Sequence, residues 1–206
     1  MRRLALAAGS AVLATVWLGP FLTEWRGSFA SGMVAHMAVV AIASPLIAVG
    51  LPDRLRPGPG MPAALPVLAS LFELLVVWGW HAPAARELVE SWSAITVLEQ
   101  TSFLAAGLLL WSTSFAGRER IHAATGAGAL LLTSIHMTLL GALLALSPRP
   151  LYGAGEITCF GVVLDAGQDQ QLGGVIMLAV GAVVYLLGGL RLAGRLLSHE
   201  GKPAAT

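Results

Sequence analysis

The stretch FASGMVAHMAVVAIASPLIAVGL, residues Phe29–Leu51, is an apolar run with one imidazole, His36, in its first half. A transmembrane helix needs about 20 apolar residues, so the run predicts a membrane-spanning helix. An ionisable group at membrane depth is by default a candidate functional residue. Met33 lies three residues before His36 and four before Met37, which is helical spacing, and an imidazole beside thioethers is a soft donor set that suits Cu(I). Alternatively, His36 is a core histidine hydrogen-bonded to a carbonyl, with the methionines as packing.

The composition predicts a single integral-membrane domain over residues 1–206. The chain is 56% hydrophobic and 11% charged, with a mean hydropathy of +0.78. A soluble domain has about 25% charged residues. The net charge of +1 gives no basis for a nucleic-acid-binding surface. The lone cysteine, Cys159, excludes an intrachain disulfide and a cysteine-based zinc or iron–sulfur site.

Six apolar stretches predict an all-α, polytopic membrane helical bundle. They cover Leu4–Leu22, Phe29–Leu51, Ala63–His81, Ala94–Phe115, Ala123–Leu146 and Gln171–Leu192. The segment Ser147–Gln170 is the longest predicted loop. The start of the chain is typical of a signal peptide or a signal anchor. We favour a retained first helix, since no clear small-x-small cleavage site ends the apolar run before Pro20.

The basic residues predict the orientation of the bundle. Nine of the 12 lie in segments on the side of the N-terminus: Arg2, Arg3, Arg54, Arg56, Arg118, Arg120, Arg191, Arg195 and Lys202. Cytoplasmic segments are enriched in Lys and Arg, so both termini are predicted to be cytoplasmic. Five of the six tryptophans lie near the other, outer interface, as expected of an aromatic belt.

Most polar and sulfur groups predicted inside the membrane fall in its outer half or at its midplane. The candidate metal ligands are His36, His81, Met33, His136 and Met177, with Glu73 and Asp169 as charge or hydrogen-bonding partners of the ligands. Simpler structural roles remain open for each of them. A histidine at the end of a helix can cap it, and an aspartate at the start can act as an N-cap.

The sequence contains no phosphate-binding glycine loop, zinc-protease helix, serine elbow or Cys-x-x-Cys-His haem attachment motif. Nucleotide-driven or hydrolytic chemistry is therefore not indicated, and we do not expect an enzyme.

Two alternatives to a copper protein stay open. One is a b-type haem electron carrier with His36 and His136 as axial ligands, and the other is a metal-free accessory or scaffold subunit.

Several motifs, in order along the chain, resemble the CtaG-type integral-membrane cytochrome c oxidase assembly factor family. The matching segments are Met33-Val34-Ala35-His36, Pro45-Leu46 with Gly50, Trp80-His81-Ala82-Pro83, Gly107-Leu108-Leu109-Leu110-Trp111, Leu140-Gly141-Ala142, Pro150-Leu151-Tyr152 and Asp169-Gln170-Gln171-Leu172-Gly173-Gly174 with Met177. Three positions depart from the family pattern: Gly32, Thr96 and Gln100 stand where it has histidines.

The resemblance implies a multi-pass protein of the bacterial inner (cytoplasmic) membrane that assists assembly of a haem–copper oxidase. It implies handling or delivery of copper on the periplasmic side. The implied partners are oxidase subunits and the lipid bilayer, and a homo-oligomer is left open.

Overall fold

A computed structural model describes residues 1–58, 60–117 and 119–200, with side chains up to residue 197. Its helices are α1 (Arg2–Leu18), α2 (Phe29–Met37), α3 (Ser44–Gly50), α4 (Leu65–Trp80), α5 (Pro83–Ser91), α6 (Ser93–Ala116), α7 (Arg120–Ala145) and α8 (Ala166–Glu200). Two short strands, β1 (Glu156–Cys159) and β2 (Val162–Asp165), precede α8. Arg118 and Lys202, counted above among the basic residues, lie outside the described residues.

The described residues form five to six candidate membrane-spanning crossings, which confirms the predicted polytopic helical fold. Five helical segments are long and apolar enough to span a membrane: Arg2–Leu22, Phe29–Gly50, Ser93–Ala116, Arg120–Ala145 and Ala166–Leu197. The sixth crossing is α4, which qualifies only together with α5, bent from it by 71°. It starts after the end of α3 and finishes at His81, which contacts Met33 near the start of α2. It therefore traverses the bundle.

The second crossing is not the uninterrupted α-helix that the sequence predicts. A π-helical turn, Ala38–Ala43, joins α2 to α3. Pro45 lies in the first turn of α3 and has no N–H to donate, which favours a widened turn just before it. Two side chains satisfy carbonyls in this turn. Ser44 Oγ donates to the Val39 oxygen at 2.8 Å, and Trp111 Nε1 donates to the Val40 oxygen at 2.9 Å.

Glycines let α7 and α8 pack backbone to backbone. A Cβ atom on Gly141 would lie 2.7 Å from the Leu178 nitrogen and 2.9 Å from the Gly174 oxygen. A Cβ atom on Gly174 would lie 2.5 Å from the Ala145 nitrogen. Small residues allow this close approach, which supplies the packing that holds helices together in lipid.

A β-hairpin occupies part of the predicted loop Ser147–Gln170, so the prediction of a plain loop there is wrong. Glu156 pairs with Asp165 and Cys159 with Val162. The connecting residues Phe160 and Gly161 have φ values of 52° and 80°, as in a two-residue type I′ turn. The strands were missed because each is only four residues long.

We define two ends of the bundle. The hairpin end contains the β-hairpin and His81, and the basic end contains Arg2, Arg56 and Arg191, which line one pocket. The start of α1 and the last turns of α8 both lie at the basic end. This agrees with the prediction that the two termini are on one side.

Replacing Gly141 with alanine should lower the unfolding temperature in detergent. The added methyl group would meet the backbone of α8, and overpacking of this kind costs about 1–3 kcal/mol. Gly128→Ala is the matched control, because a Cβ on Gly128 of the same helix meets nothing within 4 Å. Thermal unfolding followed by circular dichroism measures both variants. Equal unfolding temperatures would contradict the backbone contact between α7 and α8.

Candidate functional site

His81 and Met33 form the centre of the candidate site. His81 Nδ1 lies 2.7 Å from the Val77 carbonyl oxygen, which assigns the ring proton to Nδ1 in the neutral imidazole. The other ring nitrogen, Nε2, lies 3.3 Å from Met33 Sδ. Both side chains are buried. A nitrogen lone pair and a thioether sulfur therefore face each other inside the protein.

His36 lies beside this pair. Its ring centroid is 5.6 Å from that of His81 and 4.1 Å from that of Phe103. The side chain is 1% exposed, and neither ring nitrogen has a hydrogen-bond partner among the described residues. An unpaired polar atom in the interior is costly unless something binds it. Both nitrogens of His36 are thus free of competing hydrogen bonds.

His136 on α7 is also buried, and neither of its ring nitrogens has a partner in the described structure. No three His, Cys, Asp or Glu side chains of the described residues are grouped so that they could hold one ion. His136 does not complete a three-histidine site with His36 and His81.

Buried thioethers lie along one face of α8. A Cβ on Gly173 would be 3.0 Å from Met33 Cγ, and a Cβ on Gly181 would be 3.0 Å from Met137 Cβ. Met177 lies four residues from each of these glycines, on the same face, and is fully buried. The predicted sulfur ligand Met177 therefore faces the same interior as Met33.

Arg86 of α5 fills the space beside Gly32. A Cβ on Gly32 would lie 3.3 Å from Arg86 Nη2, and Arg86 is only 6% exposed. Arg86 Nε donates to Glu90 Oε1 at 3.1 Å, and Nη1 lies 3.7 Å from Glu99 Oε1. The guanidinium also sits 5.8 Å above the ring of Phe29. A fixed, charge-paired cation thus stands where the family resemblance expects an imidazole.

The other two departures from the family pattern take part in a polar network. Gln100 Nε2 donates to Glu99 Oε2 at 3.3 Å. Arg26 donates to Thr96 Oγ1 at 2.8 Å and to the Val89 carbonyl oxygen. These contacts tie the start of α6 to the chain before α2 and to α5.

Asp169 caps the first turn of α2 rather than serving only its own helix. Its Oδ2 accepts from the Phe29 nitrogen at 2.6 Å, and its Oδ1 accepts from Ser28 Oγ at 2.7 Å and from the Ala30 nitrogen at 3.2 Å. The carboxylate is 1% exposed. A carboxylate at a helix N-terminus satisfies free N–H groups and the helix dipole. Asp169 therefore fixes the helix that contains Met33 and His36.

Glu73 lies away from His81. It is two turns from His81 along α4, a rise of about 12 Å. Its Oε1 accepts a hydrogen bond from the Tyr185 hydroxyl at 2.9 Å. Tyr185 in turn stacks on Trp111, with ring centroids 5.3 Å apart. The structure thus groups Glu73 with aromatic residues of α6 and α8.

Tyr152 supports the site from the loop before the hairpin. Its hydroxyl donates to the His81 carbonyl oxygen at 2.7 Å, and its ring stacks on Phe29 with centroids 4.5 Å apart. Burial raises the pKa of Tyr152 to about 12, so the phenol stays a neutral donor at neutral pH. Sequence reasoning gave no role to Tyr152 or Arg86. The only available signals were the Pro-Leu-Tyr motif and the arginine that follows Trp-His-x-Pro.

The sequence profile of the cytochrome c oxidase caa3 assembly factor family (Caa3_CtaG) matches residues 1–199. The chain belongs to this family. No curated protein and no solved structure matches the chain. Membership confirms the family resemblance that the motifs around Met33, His81 and Asp169 indicated. It assigns the chain to a group of oxidase assembly factors.

Asp169→Asn should destabilise the protein. Three donors now bind the two carboxylate oxygens of Asp169, whereas asparagine has only one acceptor oxygen. A buried donor left without an acceptor costs about 1–3 kcal/mol. Asp165→Asn is the control, because Asp165 is exposed and accepts one bond, from the Gln168 nitrogen at 2.8 Å. The unfolding temperature in detergent should fall for Asp169→Asn only. An equal decrease in both variants would contradict the special role of Asp169.

Proposed function

We propose that this oxidase assembly factor binds copper as Cu(I) at the hairpin end and passes it to an oxidase subunit. The observation that supports this best is the contact between His81 Nε2 and Met33 Sδ, with the unpaired imidazole of His36 beside it. Imidazole nitrogen and thioether sulfur favour soft Cu(I) over hard cations such as magnesium. In this proposal copper is cargo, held by His36, His81 and Met33, with Met177 and His136 as reserve donors.

The charge around the site favours a monovalent ion. The guanidinium of Arg86 lies beside Gly32, next to the helix turn that bears Met33 and His36. A second positive charge close to it is repelled, and a divalent ion is repelled more than a monovalent one. Glu90 and Glu99 partly compensate this repulsion by pairing with Arg86. Neutral sulfur and imidazole donors add no negative charge, so we expect Cu(I) to be preferred over Cu(II).

Transfer by ligand exchange needs no bond-making catalysis, so we propose a carrier rather than an enzyme. A site with two imidazoles and thioethers, instead of the family's larger histidine set, should hold copper weakly enough to release it. The distribution of basic residues favours a periplasmic location of the hairpin end. An oxidase subunit docked there would accept the ion.

Copper binding can be measured on the purified protein loaded anaerobically with Cu(I), desalted and analysed for metal. We expect the wild type to retain copper and the double variant Met33→Leu/His81→Ala to lose most of it. His122→Ala is the control, because His122 lies in the first turn of α7, where its Nε2 bonds to the Met61 carbonyl oxygen, away from the site. Equal copper in wild type and double variant would rule out the proposed site.

Complementation separates the copper carrier from the metal-free scaffold. Cells that lack this protein should regain oxidase activity and oxidase-bound copper with the wild type, but not with Met33→Leu/His81→Ala. Full restoration by the double variant would instead support the scaffold alternative.

The haem alternative predicts a strong Soret band that shifts on reduction and disappears in His36→Ala/His136→Ala. We expect no such band.

A further inference from the structure

A pocket at the basic end brings together arginines from three separate segments of the chain. Arg2 starts α1, Arg56 lies in the connection after α3, and Arg191 and Arg195 lie in the last turns of α8. Their pocket has a volume of about 220 Å³. The general preference for basic residues on one side of a membrane does not require them to converge on one cavity.

The positive charge of this pocket is only partly balanced by the described residues. Arg2 Nη1 pairs with Asp53 Oδ1 at 2.8 Å, and both groups are exposed. Arg56 donates to the carbonyl oxygens of Leu51 at 3.0 Å and Val49 at 2.5 Å, which orients its guanidinium without neutralising it. In the described part of the chain, no carboxylate forms an ion pair with Arg56 or Arg191. Arg56 and Arg191 therefore supply the cavity with cationic hydrogen-bond donors that no carboxylate of the described residues neutralises.

The remaining walls of the pocket are largely apolar. Ala48, Val49, Phe115 and Ala116 line it together with the hydroxyl of Ser112. These residues lie at the ends of α3 and α6, so the arginines meet the ends of two apolar, candidate membrane-spanning segments. A volume below the roughly 300 Å³ typical of small-molecule pockets suits a headgroup whose chains remain in the bilayer.

We propose that this pocket binds the phosphate headgroup of an anionic phospholipid. Guanidinium groups bind phosphate oxygens in a bidentate manner, and basic pockets between transmembrane helices bind acidic lipid headgroups. Bound lipid would link α1, α3, α6 and α8 at the basic end. The proposal is independent of copper binding, since the pocket lies at the opposite end of the bundle from His81.

Native mass spectrometry of the full chain in detergent tests the proposal by titration with phosphatidylglycerol and, in parallel, with phosphatidylcholine. The double variant Arg56→Gln/Arg191→Gln removes two pocket charges. Arg3→Gln/Arg54→Gln is the matched control, because both residues are exposed near the basic end and do not line the pocket. At about 1 kcal/mol per arginine, we expect the pocket variant to bind phosphatidylglycerol about 30-fold more weakly. The control should bind it as the wild type does.

Three results would overturn the proposal: equal binding of the two lipids by the wild type, equal loss of binding in both double variants, or displacement of the lipid by millimolar inorganic phosphate. The last result would instead identify a site for free phosphate. If Arg56→Gln/Arg191→Gln does not fold, Arg56→Lys/Arg191→Lys replaces it. That variant keeps the charge but loses bidentate geometry, so it should bind several-fold more weakly than wild type. Unchanged binding would count against the proposal.

Discussion

The hydrogen bonds from the first turn of α2 to the Asp169 carboxylate hold α2 against α8, and the candidate site depends on this contact. They join the start of α2 to the start of α8 among buried residues. One turn further along α8, Gly173 allows Met33 to pack against its backbone. Tyr152 then ties the His81 carbonyl to Phe29. These contacts link Asp169, through the first turn of α2, to the residues around His81.

Hydropathy and length were sufficient to predict the crossings of this bundle. The predicted span Ala94–Phe115 differs from α6, Ser93–Ala116, by one residue at each end, because an apolar run has few alternatives in lipid. The β-hairpin, α5 and the π-helical turn were not predicted. The first two are short segments outside the long apolar runs. The third depends on Pro45, which has no N–H to donate, and on Trp111 of α6, which donates to the Val40 carbonyl oxygen.

The candidate site was predictable in depth but not in neighbours. The rise per residue of a helix gives the depth of His36, His81 and His136 along their own helices. It gives no information on which helices adjoin or how each is rotated. The structure therefore brings His81 to Met33, leaves His136 outside a three-residue group, and assigns Glu73 to Tyr185. Arg86 was missed for the same reason, since its contact with Gly32 depends on the 71° bend between α4 and α5.

The π-helical turn Ala38–Ala43 has a consequence for how one crossing serves two surfaces. A residue in an α-helix advances the side-chain direction by about 100°, so a wider turn with one extra residue offsets the two halves by about that angle. The half before the turn presents Met33 and His36 to the interior at one end. The half after it presents Ala48 and Val49 to the arginine pocket at the other. The side chains before and after the turn therefore point in directions that differ by about 100° from those of one continuous α-helix. Removing one residue from the turn would restore the α-helical relation between the two halves.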